Sequence, residues 1–344
     1  MKSKRPTQAD VAQQAGVSRG TVSLVLNNTE GRVPISQETQ ERVLAAAKAL
    51  GYSPNPVAQM LARGRNYIIG FFTFDDAFPY APADFYNPYL VGVEREAGAQ
   101  GYNVLLFTRN QAKTPHQIYQ DWLNSLLLAD GVILTGNYPD SEVLRQLANE
   151  NYPFVLLGTC DIPNNELDSV ESDHEPASYQ AAHHLLELDH RNLGFLVENL
   201  SLSHHQERLA GSERAINEAP NAHLTMLTKQ DLTTAEGFKS NIQQNNITAL
   251  ICADRSLFMP LIDLIQEIPL IIPDDLSLVF LSDTWGVPFA NPTRVRLNRD
   301  KAGQVAVQRL VKRLEGDLDG YQQIRIPCEF IIGNTTAPRR LCNE

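Results

Sequence analysis

The sequence predicts an all-α head over residues 1–52, a short hinge over 53–66, and an α/β body with parallel sheets over 67–338, with a tail at 339–344. Three observations predict this. Charge is split along the 344 residues: positions 1–65 hold nine basic and four acidic residues, +5, and the remainder holds 20 basic and 36 acidic ones, −16. Residues 7–51 carry helical periodicity punctuated by caps. From Tyr67 onward, short apolar runs alternate with amphipathic stretches, the pattern of a parallel sheet covered by helices.

In the head, Thr7 caps a first helix with Asp10 answering three residues later, Val11, Ala12 and Ala15 form its apolar stripe, and Gly16 stops it. Ser18 caps a second helix that turns Val22, Val25 and Leu26 inward. Ser36 caps a third, with Val43, Leu44, Ala47 and Leu50 inward and Gly51 as its stop. A basic head on an acidic body points to a polyanion as the partner of the head alone. Ala12 and Gly16 sit four apart at the first turn, the arithmetic of a helix-turn-helix, although any small three-helix bundle shares that periodicity. The segment 53–66 offers Asn55 as cap, Pro56 in a first turn and Gly64 as stop. That is about two turns, too short to be stable alone in water.

The body's runs lie at 68–74, 104–108, 131–135, 154–157, 193–197, 249–252 and 278–281. Helix-like stretches fall at 88–100, 118–128, 141–149, 177–188 and 208–218. These are too many units for one small domain. No G-x-G-x-x-G and no G-x-x-x-x-G-K-[ST] occurs and no cysteine–histidine pattern for nucleophilic catalysis is seen, so nucleotide enzymes lose their support, and no cofactor is called for. Cys160, Cys252, Cys328 and Cys342 form no C-x-x-C, and His183-His184 and His204-His205 are sequence neighbours that diverge rather than sharing a helix face. The cysteines are read as packing residues, the histidines as surface or helix-side ones, and no metal site is expected. With no apolar span and no secretory signal, a cytoplasmic protein is expected.

The stretch TQADVAQQAGVSRGTVSLVLN over 7–27 strongly resembles the head of the lactose-repressor/galactose-repressor (LacI/GalR) family of bacterial transcription regulators. The likeness continues through VPIS at 33–36, AKALGY at 47–52, PNPVAQML at 54–61, GVIL at 131–134, HLLEL at 184–188, RLAG at 208–211, IPDDLSLV at 272–279 and TTAP at 335–338. The resemblance implies a helix-turn-helix head and hinge helix joined to a two-lobed, periplasmic-binding-protein-like α/β body. It implies a nucleoid-associated repressor, not an enzyme, that binds a palindromic operator as a homodimer and answers to a small-molecule effector, a sugar, in the interlobe cleft. The rival reading is a periplasmic-type sugar-binding protein without a DNA role.

By that resemblance Ser18, Arg19, Gly20 and Leu24 face the major groove, and Thr7, Thr21, Ser23, Asn27, Ser36 and Tyr52 touch phosphate or sugar. Asn55, Ala58 and Leu61 belong to the hinge helix, with Leu61 wedged into the central minor-groove step. Arg208 is the clamp for effector hydroxyls or a carboxylate. Asp254 matches the first residue of an Asn-Asp pair, though an Asp after a strand also caps helices. Ser282-Asp283 stands where the family has paired aspartates. Phe74, Asp75, Phe85, Tyr86 and Trp285 are candidates to line the cleft, the aromatics by stacking on a sugar face or, for Phe85 and Tyr86, by serving as lobe core. The interlobe crossings are expected near 167–170, 294–298 and 321–324.

Overall fold

The computed structural model describes residues 6–26, 35–53, 65–74, 86–107, 128–136, 141–159, 167–284, 286–317 and 320–339. Two compact units emerge, Met1–Asn66 and Tyr67–Glu344.

The head has three helices, α1 (Gln8–Ala15), α2 (Arg19–Leu26) and α3 (Gln37–Leu50). Thr7 and Asp10 form a reciprocal capping box, and Ser36 caps α3 through the Thr39 amide. Gly16 ends α1 at φ 64°, a left-handed turn that costs glycine nothing and lets Val17 donate back to Ala12. Val11, Ala12, Ala15, Val22, Val43, Ala46 and Ala47 form the core. Full burial of a side chain such as Val22 contributes ~1.5–3 kcal/mol, so these few contacts dominate so small a unit. Leu44, expected inward, is 53% exposed. Positions 43, 46, 47 and 50 share one face at helical spacing, and Leu44 lies about 100° round from Val43.

The body runs β1 (Ile68–Thr73), α4 (Asn87–Ala99), β2 (Asn103–Phe107), β3 (Gly131–Thr135), α5 (Ser141–Asn149), β4 (Phe154–Leu157) and β5 (Ser169–Asp173). There follow α6 (His174–Glu187), β6 (Asn192–Leu196), α7 (Ser203–Glu218), β7 (His223–Leu227), α8 (Ala235–Gln244), β8 (Ala249–Cys252), α9 (Phe258–Glu267) and β9 (Ser277–Phe280). The last elements are β10 (Arg294–Arg296), α10 (Arg299–Glu315), β11 (Gln323–Pro327) and β12 (Glu329–Ile331).

These strands make two six-stranded sheets, ordered β11-β5-β4-β3-β1-β2 and β12-β10-β9-β8-β6-β7. All pairings in the first are parallel, and in the second only β10–β12 is antiparallel. Strand alternation divides each sheet's apolar residues between two covered faces. In the first lobe Ile69 and Phe71 pack with α4 and α10, while Phe72 packs with α5. In the second, Leu193 and Phe195 pack with α6 and α7, while Leu196 packs with α8 and α9. The helix pairs lie close: a Cβ on Gly211 of α7 would fall onto the Glu175 carbonyl of α6, and one on Gly303 of α10 onto the Tyr89 carbonyl of α4.

The chain crosses between lobes three times: from β5 into α6, from β10 into α10, and from β11 into β12. The second falls at 297–298, within the expected range. The first and third come later than expected, at 173–174 and at Cys328, because 169–173 and 323–327 are still strands of the first sheet. The crossings are bonded to one another: Ser172 Oγ donates to Leu297 O at 3.2 Å and Asn298 Nδ2 to Pro327 O at 2.9 Å. Asn298, at φ 50°, makes the sharp turn into α10.

Candidate functional site

Two sets of residues qualify, one in each unit. In the head, Ser18, Arg19 and Gly20 are exposed at the amino end of α2, with Leu24 half-buried a turn later. The Ser18 hydroxyl is occupied as a cap, accepting from the Thr21 amide at 3.0 Å and meeting Thr21 Oγ1 at 2.9 Å. Arg19 is thus the one long side chain among these four. Thr7 is exposed beside α1, and Thr21, Ser23 and Tyr52 are half-buried on α2 or after α3. Asn27, Asn55, Ala58 and Leu61 lie outside the described residues, as do most of the hinge and the last residues of the tail.

In the body, the loops after β4, β6, β8 and β9 bring polar groups together at the carboxyl ends of the strands, where open α/β sheets bind ligands. Arg208, on α7, is 5% exposed; its Nη1 donates to Ala253 O at 2.5 Å and its Nε to His174 Nδ1 at 3.4 Å. Burial lowers its pKa to about 10. His174, at the start of α6, is held well below the ordinary histidine value by burial and by Arg208. His204 is pushed down to about 2 by burial and then by the neighbouring Arg208 and His205. The His204 ring lies 4.2 Å from that of His205 and 5.8 Å from that of His174. His204 and His205, expected to be surface or helix-side residues, both lie on α7, where His204 is half-buried and His205 is 2% exposed with its Nδ1 bonded to Asn199 O at 2.6 Å. The turn of α7 that presents Arg208 also carries this pair inward.

Asp254 acts as the cap foreseen as its alternative role. Its Oδ1 accepts from the Ser256 amide and hydroxyl at 2.9 and 2.8 Å, and its Oδ2 lies 3.6 Å from His205 Nε2. Ser282 and Asp283 are held by Arg299, a residue the sequence reading missed. Its Nη1 donates to Asp283 Oδ2 at 2.7 Å and its Nη2 to Ser282 Oγ at 3.2 Å. A cavity of about 560 Å³ lies at this junction, lined by Asp283, Phe289 and Arg294 from the second lobe and Pro88, Arg299 and Asp300 from the elements of the first. Phe74, half-buried at the end of β1, packs edge-on against Phe72, ring centroids 5.2 Å apart, at the margin of the first lobe's core. Tyr86 sits at the amino end of α4. Asp75, Phe85 and Trp285 lie outside the described residues.

Two side-chain bonds reach across the lobes beside Arg208: Thr159 Oγ1 meets Ser203 Oγ at 2.6 Å, and Arg325 Nη2 donates to Glu207 Oε1 at 2.6 Å. Two further histidines have partners elsewhere. His190 bonds Thr248, Ser277 and Ala337 O, and His184 bonds Thr336. Among the described residues no three His, Cys, Asp or Glu side chains are placed to hold a metal ion, and no helix is long and apolar enough to cross a membrane.

A helix-turn-helix head on a two-lobed ligand-binding body defines a DNA-binding regulator. Residues 7–55 match the model for bacterial regulatory proteins of the lacI family, and 182–336 that for a periplasmic binding protein-like domain. The HTH-type transcriptional repressor PurR of Haemophilus influenzae (strain PittEE) is 28% identical over 339 residues, 95% of this chain and 97% of that protein. The HTH-type transcriptional regulator DegA of Bacillus subtilis (strain 168) is 26% identical over 345 residues, 97% and 99% of the two. The lac repressor dimer bound to operator and the anti-inducer ONPF superposes with a TM-score of 0.75 at 26% identity, over 97% of this chain and all of that one. A regulator CelR in complex with cellobiose, TM-score 0.65 at 21% identity, shares the fold. The chain belongs to the lacI family: it is a DNA-binding transcriptional repressor and not an enzyme. Its head removes the rival reading of a sugar-binding protein without a DNA role.

Proposed function

We propose that the protein binds a palindromic operator as a homodimer and that a small molecule of the carbohydrate class, bound between the lobes, sets its operator affinity. The supporting observation is Arg208: a buried guanidinium at the strands' carboxyl ends, flanked by two of the bonds that join the lobes. Spare donors on a rigid fork suit hydroxyl-rich ligands, and a ligand there bears on both lobes at once. Lobe geometry and operator affinity are then linked by one coupling energy, typically ~1–3 kcal/mol, felt equally by effector and DNA. Within the head, Arg19 reads a base, while Thr7, Thr21, Ser23, Ser36 and Tyr52 set register on the backbone. Two-fold symmetry follows from the few base contacts one head can make.

The test is Arg208→Ala. It is expected to abolish the response of operator affinity to effector while leaving effector-free operator binding intact. Loss of operator binding in step with loss of folding would make Arg208 structural and overturn the reading. Sedimentation is expected to show a dimer on a two-half-site operator, and a monomer held tightly on one half-site would overturn the symmetric arrangement.

A further inference from the structure

β11 and β5 run side by side at one edge of the first sheet, with Arg325 opposite Glu171, and each strand leads directly into a crossing. Strand alternation sends Val170 into the core shared with α4 and α10 and turns Glu171 and Asp173 to the opposite face. There Arg325 meets three carboxylates at once. Its Nε lies 3.1 Å from Glu171 Oε1, its Nη1 3.3 Å from Asp173 Oδ1 and its Nη2 2.6 Å from Glu207 Oε1. Glu171 and Asp173 belong to the first lobe, as Arg325 does, whereas Glu207 is carried by α7 of the second. One cation is thus divided between two acids of its own lobe and one across the junction.

The three acids differ in burial. The side chains of Asp173 and Glu207 are 29% and 20% exposed, and that of Glu171 is 2% exposed. Among the described residues neither Glu171 oxygen accepts a well-aligned hydrogen bond, and Glu207 Oε2 accepts none. A buried carboxylate so poorly bonded favours its neutral form. Burial raises the Glu171 pKa to about 7 against the pull of Arg325, with Glu207 and Asp173 adding to the rise. β4, on the other flank of β5, reads FVLL and adds no charge. His174, which follows Asp173, and His204 and His205, which precede Glu207 on α7, are all held below the ordinary histidine value, chiefly by burial. Near neutral pH these rings stay uncharged while Glu171 titrates.

We infer that Glu171, Arg325 and Glu207 form a proton-operated latch between the lobes, fastened while Glu171 holds its proton and released when the proton leaves. With Glu171 neutral, the guanidinium serves Asp173 and Glu207, and the second of these bonds joins the lobes. With Glu171 ionised, the cation is drawn toward the acids of its own lobe, and Glu207 faces a new negative charge across the junction. Parting the lobes admits water to Glu171 and takes Glu207 away from it, so the open form holds the proton less tightly than the closed one. Closure therefore takes up a proton. The ratio of closed to open protein falls as pH rises, by up to about tenfold between about pH 6 and pH 8.5. The further step to operator affinity rests on the proposed coupling of lobe geometry to DNA binding.

Small-angle scattering of the full chain at about pH 6 and about pH 8.5, at equal ionic strength, tests the latch. The parent is expected to show the smaller radius of gyration at the lower pH. Glu171→Gln, close in shape and uncharged throughout, is expected to keep the smaller value at both, and Glu207→Gln the larger value at both. Equal radii in the parent, even with a pH-dependent melt, would leave Glu171 a structural residue and overturn the inference. So would a pH response that survives in either variant. Affinity for an operator selected from randomised half-sites is read in parallel, as the ratio of parent to Glu171→Gln, which is expected to change by up to about tenfold over the same range. A latch that moves the lobes without changing this ratio refutes the coupling to DNA and leaves the latch standing. Operator affinity that answers to a sugar in a chain whose radius ignores pH refutes the latch and leaves the regulation standing.

Discussion

Arg325, on β11 of the first lobe, donates to Glu207, on α7 of the second, at 2.6 Å, while also pairing with Asp173 and Glu171. An ion pair this accessible contributes only ~0–1 kcal/mol to stability, so its effect is on lobe geometry. Glu207→Gln is expected to leave stability within that range and to increase the radius of gyration in small-angle scattering as the lobes part. An unchanged scattering profile would show that the hinge alone fixes the closure.

Arg19→Ala is expected to cost about 1–3 kcal/mol of operator affinity and to relax preference at one guanine per half-site, since guanine O6 and N7 suit a bidentate guanidinium. Competition over randomised half-sites at fixed salt measures it. A uniform loss across all sequences would make Arg19 a phosphate contact.

Gly20 has ordinary helical backbone, and a Cβ added there would lie 3.6 Å from Ser18 Oγ, a normal contact. Gly20→Ala is therefore expected to stabilise the head by ~0.5–1 kcal/mol through helix propensity. Operator affinity is expected to fall nonetheless, because the added methyl occupies the groove-facing surface. Melts and operator titrations of one variant check both, and a tighter operator complex would remove Gly20 from the interface.

Glu171 is 3% exposed, and burial raises its pKa to about 7, with Arg325 acting the other way and Glu207 and Asp173 raising it further. The folded protein thus retains a proton between about pH 4.5 and pH 7 that the unfolded chain releases, so this group makes stability fall as pH rises through that window. The full effect is on the order of 3 kcal/mol. Glu171→Gln is expected to melt higher than the parent at pH 8, with the gap shrinking by pH 5. A gap that instead widens toward pH 5 would show that attraction to Arg325 outweighs burial.

The head was legible almost to the residue, because its caps (Thr7 with Asp10, Ser36, Gly16, Gly51) are local and each leaves its own sequence mark. In the body, apolar runs located β1, β3, β4 and β8. By contrast β5, reading SVESD, and β10, reading RVR, are polar strands next to the crossings: buried Glu171 of β5 is paired by Arg325 from a strand remote in sequence, and β10 buries only Val295. The site divides in the same way. Arg208 stands in a recognisable local motif, whereas Arg299 looks like a solvated first-turn arginine until Asp283 arrives from another loop. Helical spacing could have put His204 and Arg208 on one face, four residues apart, but not the burial that gives the pair its meaning.

The arrangement of the crossings also imposes an order on synthesis. Asp168 accepts from the Gln322 amide, 154 residues further on, where β11 joins the sheet begun by β1. A chain emerging from the ribosome can complete the head within its first turns of growth, and can assemble every second-lobe strand but β12 before β11 exists. The first lobe, started earlier, is among the last parts to be finished. Nascent chains therefore pass through an interval in which a finished DNA-reading head is tethered to an unfinished sheet with β5 unpaired on one edge, and a ribosome stalled short of Gln323 would hold the protein in that state.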